Sequence, residues 1–348
     1  PAGEVGGGSA LSVLVVIVNY KTAGLTVACL RSLADEVAAD ASIGVVVVDN
    51  DSGDSAELRR AVREHGWSGW ARVVDAGRNG GFAFGNNVAV AEAMGWERPP
   101  AYFLLLNPDT EVRRGAVRAL REFLDARPEV GIAGSSFENP DGSEWPFAFR
   151  FMSVLSEFER GVRLSLVTRA LRGRRVARTM GKGCERVDWV AGASMMVRRE
   201  VFRDVGLMDA GYFLYYEEVD FCRRAGRGGW PCWYVPQSRV MHISGQATGV
   251  SNAGPKTRPM PAYWFESRQR YFVNNEGVLR ARLADLAFGV GLALYKLREW
   301  AFRLPNPDPP GFLRDFWRRS SLWVGGRALR ARHRPDAGVT GATPGVRA

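Results

Sequence analysis

Three carboxylates, Glu217, Glu218 and Asp220, fall within four positions of the stretch YYEEVDFC at residues 215–222. Their neighbours are aromatic and aliphatic, although acidic side chains are rarely buried unless they are paired. Two interpretations are open at this point. The acids begin a helix, where negative charge complements the positive end of the macrodipole, or they form a site that abstracts a proton or helps to hold a metal ion.

Polar residues also end three predicted strands. They read NYK at 19–21, DNDS at 49–52 and NPDT at 107–110. Any one of them alone is typical of a turn. Parallel strands bring their carboxyl ends to one edge of a sheet, where ligands bind in α/β folds. Together the three ends therefore predict a ligand site.

A glycine-rich stretch, GRNGGFAFGNN at 77–87, leads into a helical pattern. Backbone N–H groups at such a helix start can bind an anion. The stretch lacks the G-x-G-x-x-G spacing of dinucleotide-binding folds and the lysine of the P-loop. A hydride-transfer or ATPase function is therefore disfavoured.

The elements that must position these residues alternate along the first part of the chain. LSVLVVIVNY at 11–20 and IGVVVVDN at 43–50 are nearly continuous apolar runs, typical of parallel strands buried on both faces. Two more strand patterns occur at 71–77 and 101–107, with helical patterns between them. This order predicts an α/β fold with a doubly wound, mostly parallel sheet and right-handed crossovers.

The chain divides by character into a mobile tail at 1–10, an α/β domain at 11–245 and a basic helical extension at 246–348. The α/β domain has a regular first half at about 11–135 and a less regular second half at about 136–245. Within the extension, the apolar residues 284–295 are too few to span a bilayer. They fit equally a helix at the membrane interface or one packed against this domain or a second subunit.

Positive charge is in excess, with 47 Lys and Arg against 37 Asp and Glu, a net charge of +10. Arginines are dense at 159–186, which favours phosphate groups of small or lipid ligands and suggests a mobile basic lid. No nucleic-acid-binding motif is present, so we expect no nucleic-acid partner. Four cysteines without C-x-x-C spacing, and an N-terminal stretch unlike a secretory signal, predict a cytoplasmic protein.

Taken in order, VIVNYKT, VVVDNDSGD, GRNGGFAFGNN, LLLNPDT, WVAGASMMVRREVF and YFLYYEEVDFCRR, followed by GW, VP and H, resemble family 2 glycosyltransferases. The similarity covers about residues 11–245 and is greatest to the rhamnosyltransferase-like branch. It implies a GT-A fold, a nucleotide diphosphate sugar donor, Mn²⁺ or Mg²⁺, and inversion at the anomeric carbon. It also implies that residues 11–245 are a catalytic domain, with a donor-binding half at about 11–135 and an acceptor half at about 136–245.

Matched by position, the resemblance implies a donor site in three parts. The nucleobase pocket would contain Tyr20, Asp49 and Asn50, with Ser52 nearby and Val18 elsewhere in the donor site, and either Asp49 or Asn50 would contact the base. The loop beneath the ribose and diphosphate would contain Asn79, Gly80, Gly81, Phe82 and Asn87. Asn107, Trp189 and Gly192 would contact the rest of the donor, although Trp189 as ordinary core packing is the alternative.

The same match assigns the chemistry. Asp109 would bind the metal, with His242 as a second ligand, and Glu218 would be the base that deprotonates the acceptor. Glu217 and Asp220 would bind acceptor hydroxyls or orient the loop, and we expect Asp209 to hold that loop in place.

The sequence thus predicts a hexosyltransferase, with L-rhamnose from dTDP-rhamnose as its best donor, acting on a saccharide or polyprenyl-diphosphate-linked saccharide in cell-surface polysaccharide synthesis. Other donors (UDP-galactofuranose, UDP-hexose, UDP-N-acetylhexosamine) and a non-catalytic nucleotide-sugar-binding module are the alternatives. The basic segments and the apolar helix suggest the inner face of an anionic plasma membrane, or a homodimer through the C-terminal helices.

Overall fold

The computed structural model describes residues 11–243 and 258–334. The tail predicted at 1–10 lies outside the described residues. Within the described ranges, the strands are β1 Val13–Asn19, β2 Ile43–Asp49, β3 Ala71–Asp75, β4 Tyr102–Leu106, β5 Thr110–Val112, β6 Ile132–Glu138, β7 Glu144–Trp145, β8 Phe147–Phe149, β9 Ala177–Thr179, β10 Glu185–Val187, β11 Ser194–Arg198 and β12 Cys232–His242. The helices are α1 Ala23–Ala39, α2 Ser55–Glu64, α3 Gly81–Met94, α4 Ala116–Asp125, α5 Val154–Val162, α6 Ser165–Ala170, α7 Arg199–Val205, α8 Glu217–Arg227, α9 Ala262–Phe302, α10 Phe312–Arg318 and α11 Gly326–Arg332.

One large sheet organises the described part of the chain. Its order is β10-β12-β6-β11-β4-β1-β2-β3, with β5 beside β12 and β7 beside β6. Strands β4, β1, β2 and β3 are parallel, as the apolar runs predict. Strand β11 runs antiparallel between β4 and β6, so both predicted halves contribute to one mixed sheet. The α/β expectation is confirmed.

The sheet is buried on both faces, which explains the unbroken apolar strands. In β1, Leu14 and Val16 belong to one core, which also contains side chains of α3, α8 and α9. Val13 and Val15 belong to a second core, on the other face, with side chains of α1, α2 and α4. Successive residues of a strand point to opposite faces. Each face is therefore covered by its own layer of helices.

The C-terminal part forms the predicted helical extension and packs against α5. Helix α9 is interrupted at Gly277, where φ is 83°. Beyond this break the backbones of α5 and α9 approach so closely that a Cβ atom on Gly161 would lie 2.5 Å from the carbonyl oxygen of Phe288. In the ranges that the structure describes, no helix is long and apolar enough to cross a membrane.

Buried charge fixes the position of the extension. Arg268 of α9 donates to Glu157 of α5 at 2.6 Å and also pairs with Asp285. Asp285 in turn accepts a hydrogen bond from the hydroxyl of Ser321 at 2.7 Å. Removing one member would leave an uncompensated buried charge. These contacts therefore fix the positions of α5, α9 and the segment after α10 relative to one another.

Candidate active site

A cavity of about 830 Å³ opens at the carboxyl ends of β1, β2 and β4. It is bounded by the start of α3, the start of α8 and the end of β12. Twelve of the predicted site residues line it: Val18, Tyr20, Asn50, Asn79, Gly81, Phe82, Asn107, Asp109, Gly192, Glu217, Glu218 and His242. The residues that the sequence singles out from seven separate segments thus meet around one space.

The end of β2 is joined to the glycine-rich loop through Asn50. The amide of Asn50 donates to Asn79 Oδ1 and to the backbone carbonyl of Gly81, both at 3.1 Å. Val18 and Tyr20 line the same part of the cavity from the end of β1. This arrangement offers an apolar wall with directed hydrogen-bonding groups, which suits a nucleobase and its ribose.

Asn107, Asp109 and His242 form a polar cluster in the cavity wall. The antiparallel pairing of β5 with β12 places His242 opposite Thr110. His242 Nε2 lies 3.2 Å from Asp109 Oδ1 and 3.4 Å from Asn107 Nδ2. The carboxylate of Asp109 and the imidazole of His242 are therefore close enough to bind one ion together.

This cluster fits a divalent cation that shares its coordination with a substrate. Among the described residues there is no group of three or more His, Cys, Asp or Glu that could enclose an ion by itself. Mg²⁺ is usually held by one or two carboxylates plus phosphate oxygens and water, and imidazole nitrogen favours Mn²⁺. Asp109 and His242 are such a partial ligand set.

The acidic stretch begins helix α8 and follows two strained residues. Tyr215 and Tyr216 both have φ near 70°, an uncommon conformation for bulky residues that is found at functional sites. Glu217 and Glu218 are the first two residues of the helix. Negative charge at this end is stabilised by the helix dipole, so the simpler interpretation of the acids also holds.

The two glutamates are more than helix-starting residues. Each has one carboxylate oxygen, Oε2, that is buried without a hydrogen-bond partner in the described part of the chain. Burial raises the pKa of Glu218 to about 7, while backbone N–H groups partly oppose the shift. Burial and the charge of Glu218 hold the pKa of Glu217 well above its usual value. The pair can therefore accept a proton near neutral pH.

Gly192 lies against this acid pair. A Cβ atom at Gly192 would come within 3.5 Å of Glu218 Cβ and 3.2 Å of the ring of Phe82. Gly192, Phe82 and Glu218 all line the same cavity.

Asp49 and Ser52 do not line the cavity, so their place in the nucleobase pocket stays a prediction. The amide of Asn19 donates to Asp49 Oδ1 at 2.9 Å and to Ser52 Oγ at 3.0 Å, and Ser55 donates to Asp49 Oδ2 at 3.2 Å. Their hydrogen-bonding capacity thus goes into joining the ends of β1 and β2.

Trp189 corresponds to the packing alternative. Its ring stacks on Phe149 with centroids 4.1 Å apart, and its indole N–H donates to the carbonyl of Arg150 at 2.9 Å. Asn87 likewise bonds the backbone of Met208 twice, at 2.7 and 3.1 Å. These two residues and Gly80 do not line the cavity.

Asp220 is buried in the protein interior, which agrees with the alternative that it orients the loop. It accepts hydrogen bonds from Arg224 at 2.8 Å and Asn275 at 2.7 Å, which attach α8 to α9. Asp209 forms a bidentate ion pair with Arg270 at 2.7 and 2.8 Å. The contacts of Asp209 agree with the predicted role of holding the loop before Glu218.

One wall of the cavity was missed by the sequence analysis. It is formed by the C-terminal extension and by two arginines of the basic segment; its members include Tyr263, Trp264, Phe288, Phe312, Arg160 and Arg163. The Arg160 guanidinium lies 4.8 Å from the ring of Phe288 and 5.6 Å from that of Trp264. The aromatic run at 263–265 was the available signal. Aromatic faces suit the apolar face of a sugar.

The chain is similar to known proteins over most of its length. A family model described as Glycosyltransferase like family 2 matches residues 10–254. N-acetylglucosaminyl-diphospho-decaprenol L-rhamnosyltransferase of Mycobacterium tuberculosis (strain ATCC 25618 / H37Rv) is 30% identical over 251 residues, covering 68% of this chain and 77% of that protein. Rhamnosyltransferase WbbL of Escherichia coli (strain K12) is 29% identical over 167 residues, covering 47% and 61%.

The fold is also shared with solved structures. Mannosyltransferase PcManGT from Pyrobaculum calidifontis, in complex with GDP-Man and Mn²⁺, matches with a TM-score of 0.50 and 15% identity. The match covers 94% of this chain and 85% of that one. At this identity the likeness shows the fold alone, which is GT-A-like.

Proposed function

This chain belongs to glycosyltransferase family 2, and we propose that it is an inverting, metal-dependent transferase that moves L-rhamnose from dTDP-rhamnose to a lipid-linked saccharide. One observation carries the proposal. Glu218, with a buried unpartnered oxygen, lines the same cavity as the Asp109–His242 pair. A base and a leaving-group site on one cavity are what sugar transfer from a diphosphate requires.

In this mechanism Glu218 takes the proton of an acceptor hydroxyl. The oxygen of that hydroxyl bonds to the anomeric carbon as the bond from this carbon to the nucleoside diphosphate breaks. Attack from the face opposite the leaving group inverts the anomeric centre. Asp109 and His242 would hold Mn²⁺ or Mg²⁺, which supplies positive charge against the departing diphosphate.

The donor assignment is supported by the relatives and by the chemistry of the cavity. Two of the relatives described above are rhamnosyltransferases, and one carries a decaprenol-diphosphate-linked acceptor in its name. Phe82 and Gly192 line the cavity beside the base, and an aromatic ring suits the apolar face of a deoxysugar. Other nucleotide sugars share this general requirement.

A screen of nucleotide-sugar turnover with Mn²⁺ tests the proposal. We expect the wild-type protein to hydrolyse or transfer from dTDP-rhamnose, and the Glu218→Gln variant to bind this donor but lose transfer. Turnover of a UDP-hexose instead would reassign the donor. Nucleotide-sugar binding without any turnover in the wild type would favour the non-catalytic binding module.

We also propose that the enzyme works at the inner face of an anionic plasma membrane, with α9 lying along the surface. An apolar face of α9 is exposed; it consists of Leu279, Leu283, Leu286, Val290, Leu294 and Leu297, and it is continued by Trp300. Their spacing of three or four residues places them on one side of the helix. Exposed Arg280 and Arg303 flank this apolar face and would complement anionic headgroups.

A further inference from the structure

A second cavity, of about 540 Å³, adjoins the first and is lined mainly by arginine. Its five arginines are Arg160, Arg163, Arg169, Arg172 and Arg175, accompanied by two hydroxyl-bearing residues and one glutamate. Arg160 and Arg163 line both cavities. The basic pocket is therefore next to the space in which the acid pair lies.

Positive charge in the basic pocket is not balanced. Arg160 pairs with Glu157 at 3.1 Å, Arg163 with Asp308 at 2.6 Å, and Arg175 with Glu159 at 3.8 Å. Assigning each of these three carboxylates to one arginine leaves two of the five uncompensated. They are the exposed Arg169 and Arg172, which make no ion pair with other residues in the described ranges.

The two arginines at the junction also retain unused donors. Arg160 Nε and Arg163 Nη1 are buried and have no hydrogen-bond partner within residues 11–243 and 258–334. Leaving a buried polar group unsatisfied is costly. A guanidinium offers a planar fork of donors that matches phosphate oxygens, so an entering phosphate would satisfy these atoms.

We propose that this basic pocket binds the diphosphate of the lipid-linked acceptor. The inference rests on the proposed function and gives the acceptor a site of its own. When a hydroxyl of the acceptor sugar is at Glu218, the diphosphate of the same molecule lies on the other side of that sugar. Arg160 and Arg163, which line both cavities, are placed to meet it there. The two uncompensated arginines match the two negative charges of a diphosphate diester.

The donor does not account for this pocket. The leaving diphosphate is assigned to Asp109 and His242, and neither of these residues lines the basic pocket. Leu166, which follows Ser165 of the pocket wall, is 64% exposed. An apolar side chain at this position offers a path along which a prenyl chain could leave the protein.

Calorimetric titration with farnesyl diphosphate tests the proposal. The titration is done with saturating dTDP and Mn²⁺, so that the donor end is filled. The double variant Arg169→Ala and Arg172→Ala removes the two uncompensated charges. Arg174→Ala is the matched control, because Arg174 is an exposed arginine of the same segment that lines neither cavity.

We expect the double variant to raise the Kd for farnesyl diphosphate about tenfold or more, since charged hydrogen bonds to phosphate are lost. Arg174→Ala should change it little, and both variants should keep the melting temperature and dTDP affinity of the wild type. With a farnesyl-diphosphate-linked saccharide as acceptor, the KM for the acceptor should rise while the KM for the donor stays unchanged.

Unchanged affinity in the double variant, or equal weakening in both variants, would overturn the proposal. The proposal would also be overturned if the double variant lost binding to phosphatidylglycerol vesicles but kept its affinity for farnesyl diphosphate. The pocket would then hold a phospholipid headgroup. Binding is measured without turnover. A wild type that binds farnesyl diphosphate but turns over no nucleotide sugar would refute the proposed function and leave the pocket assignment standing.

Discussion

The glycine-rich loop and the acidic loop meet where a Cβ atom on Gly81 would lie only 1.8 Å from the carbonyl oxygen of Phe213. The N–H of Phe82 donates to the same carbonyl at 3.0 Å. Phe213 stands four residues before Glu217. The segment assigned to the donor diphosphate is thus in direct backbone contact with the segment that carries the base, and displacement of either would move the other.

Replacing Gly81 with alanine should therefore affect both stability and transfer. The new Cβ would overlap a backbone atom that cannot rotate away, and the residue has φ of 86°, which costs about 1–2 kcal/mol for an L-residue. We expect a lower melting temperature and a loss of transfer greater than the fraction unfolded explains. Thermal melting and initial rates on the same preparation measure the two effects.

Gly53→Ala is the control for this experiment. Gly53 has φ of 87° but nothing within 4 Å of a Cβ atom, so it carries the backbone cost alone. Equal losses of stability and activity in the two variants would show that the contact with Phe213 has no special role.

The raised pKa of Glu218 predicts the acid limb of the pH–rate profile. A base must be deprotonated to act, so kcat/KM should fall about tenfold per pH unit below a midpoint near pH 7. Glu218→Gln should lower kcat by about 10²–10⁴-fold. Glu217→Gln should leave the midpoint nearly unchanged, because burial and the charge of Glu218 raise the pKa of Glu217 and keep it uncharged there. Rates between pH 5 and 9 measure all three, and full transfer by Glu218→Gln would refute the assignment.

The raised pKa of Glu218 also predicts that Glu218→Gln is more stable than the wild type at high pH. Because its folded pKa of about 7 exceeds the unfolded value of 4.5, the folded state binds the extra proton and loses stability as pH rises from about 4.5 to 7. Glu218→Gln removes this cost. Its melting temperature should exceed that of the wild type at pH 8, and the difference should shrink towards pH 5. A difference that grows towards acid pH would contradict the burial of an unpartnered carboxylate.

The donor rim was predictable because each part of it is local in sequence. Strands that end in Asn50 or Asp109 deliver these side chains to one edge through sheet topology alone, and the apolar runs predict that topology. The acid pair was predictable for the same reason. The sequence could not distinguish side chains that line the cavity from side chains that hold its wall in place. Asp49 and Asn50 are adjacent, yet only Asn50 lines the cavity.

Long-range packing decides between the alternatives that the sequence left open for Trp189 and Asp220. Trp189 packs because Phe149, 40 positions earlier, forms a bridge with it, and no periodicity links the two. Asp220 is held by Asn275 of the extension. The aromatic wall depends on α9 docking against α5 through close backbone contact at Gly161, which a single sequence does not indicate.

The Asp109–His242 pair predicts a metal requirement that one substitution should strengthen. Asn107 Nδ2 lies 3.4 Å from His242 Nε2, so Asn107→Asp would add a carboxylate oxygen to the cluster. We expect a lower Mn²⁺ concentration for half-maximal activity and a higher one for Asp109→Asn, because hard cations prefer carboxylate oxygens. Electron paramagnetic resonance of Mn²⁺ in the presence of nucleotide measures binding without turnover. Equal Mn²⁺ affinity in wild type and Asp109→Asn would exclude Asp109 as a ligand.

The apolar face of α9 predicts binding to anionic vesicles. The double variant Leu286→Asp and Leu294→Asp puts charge in the middle of this face, where both side chains are more than 40% exposed. Flotation with vesicles containing phosphatidylglycerol should fall about tenfold or more, since burial of a leucine contributes about 1.5–3 kcal/mol. Leu155→Asp, on α5, is the matched control because Leu155 is similarly exposed outside α9. Light scattering separates the alternative: a wild type that is dimeric without lipid, does not float, and becomes monomeric in the double variant would make this face a subunit interface.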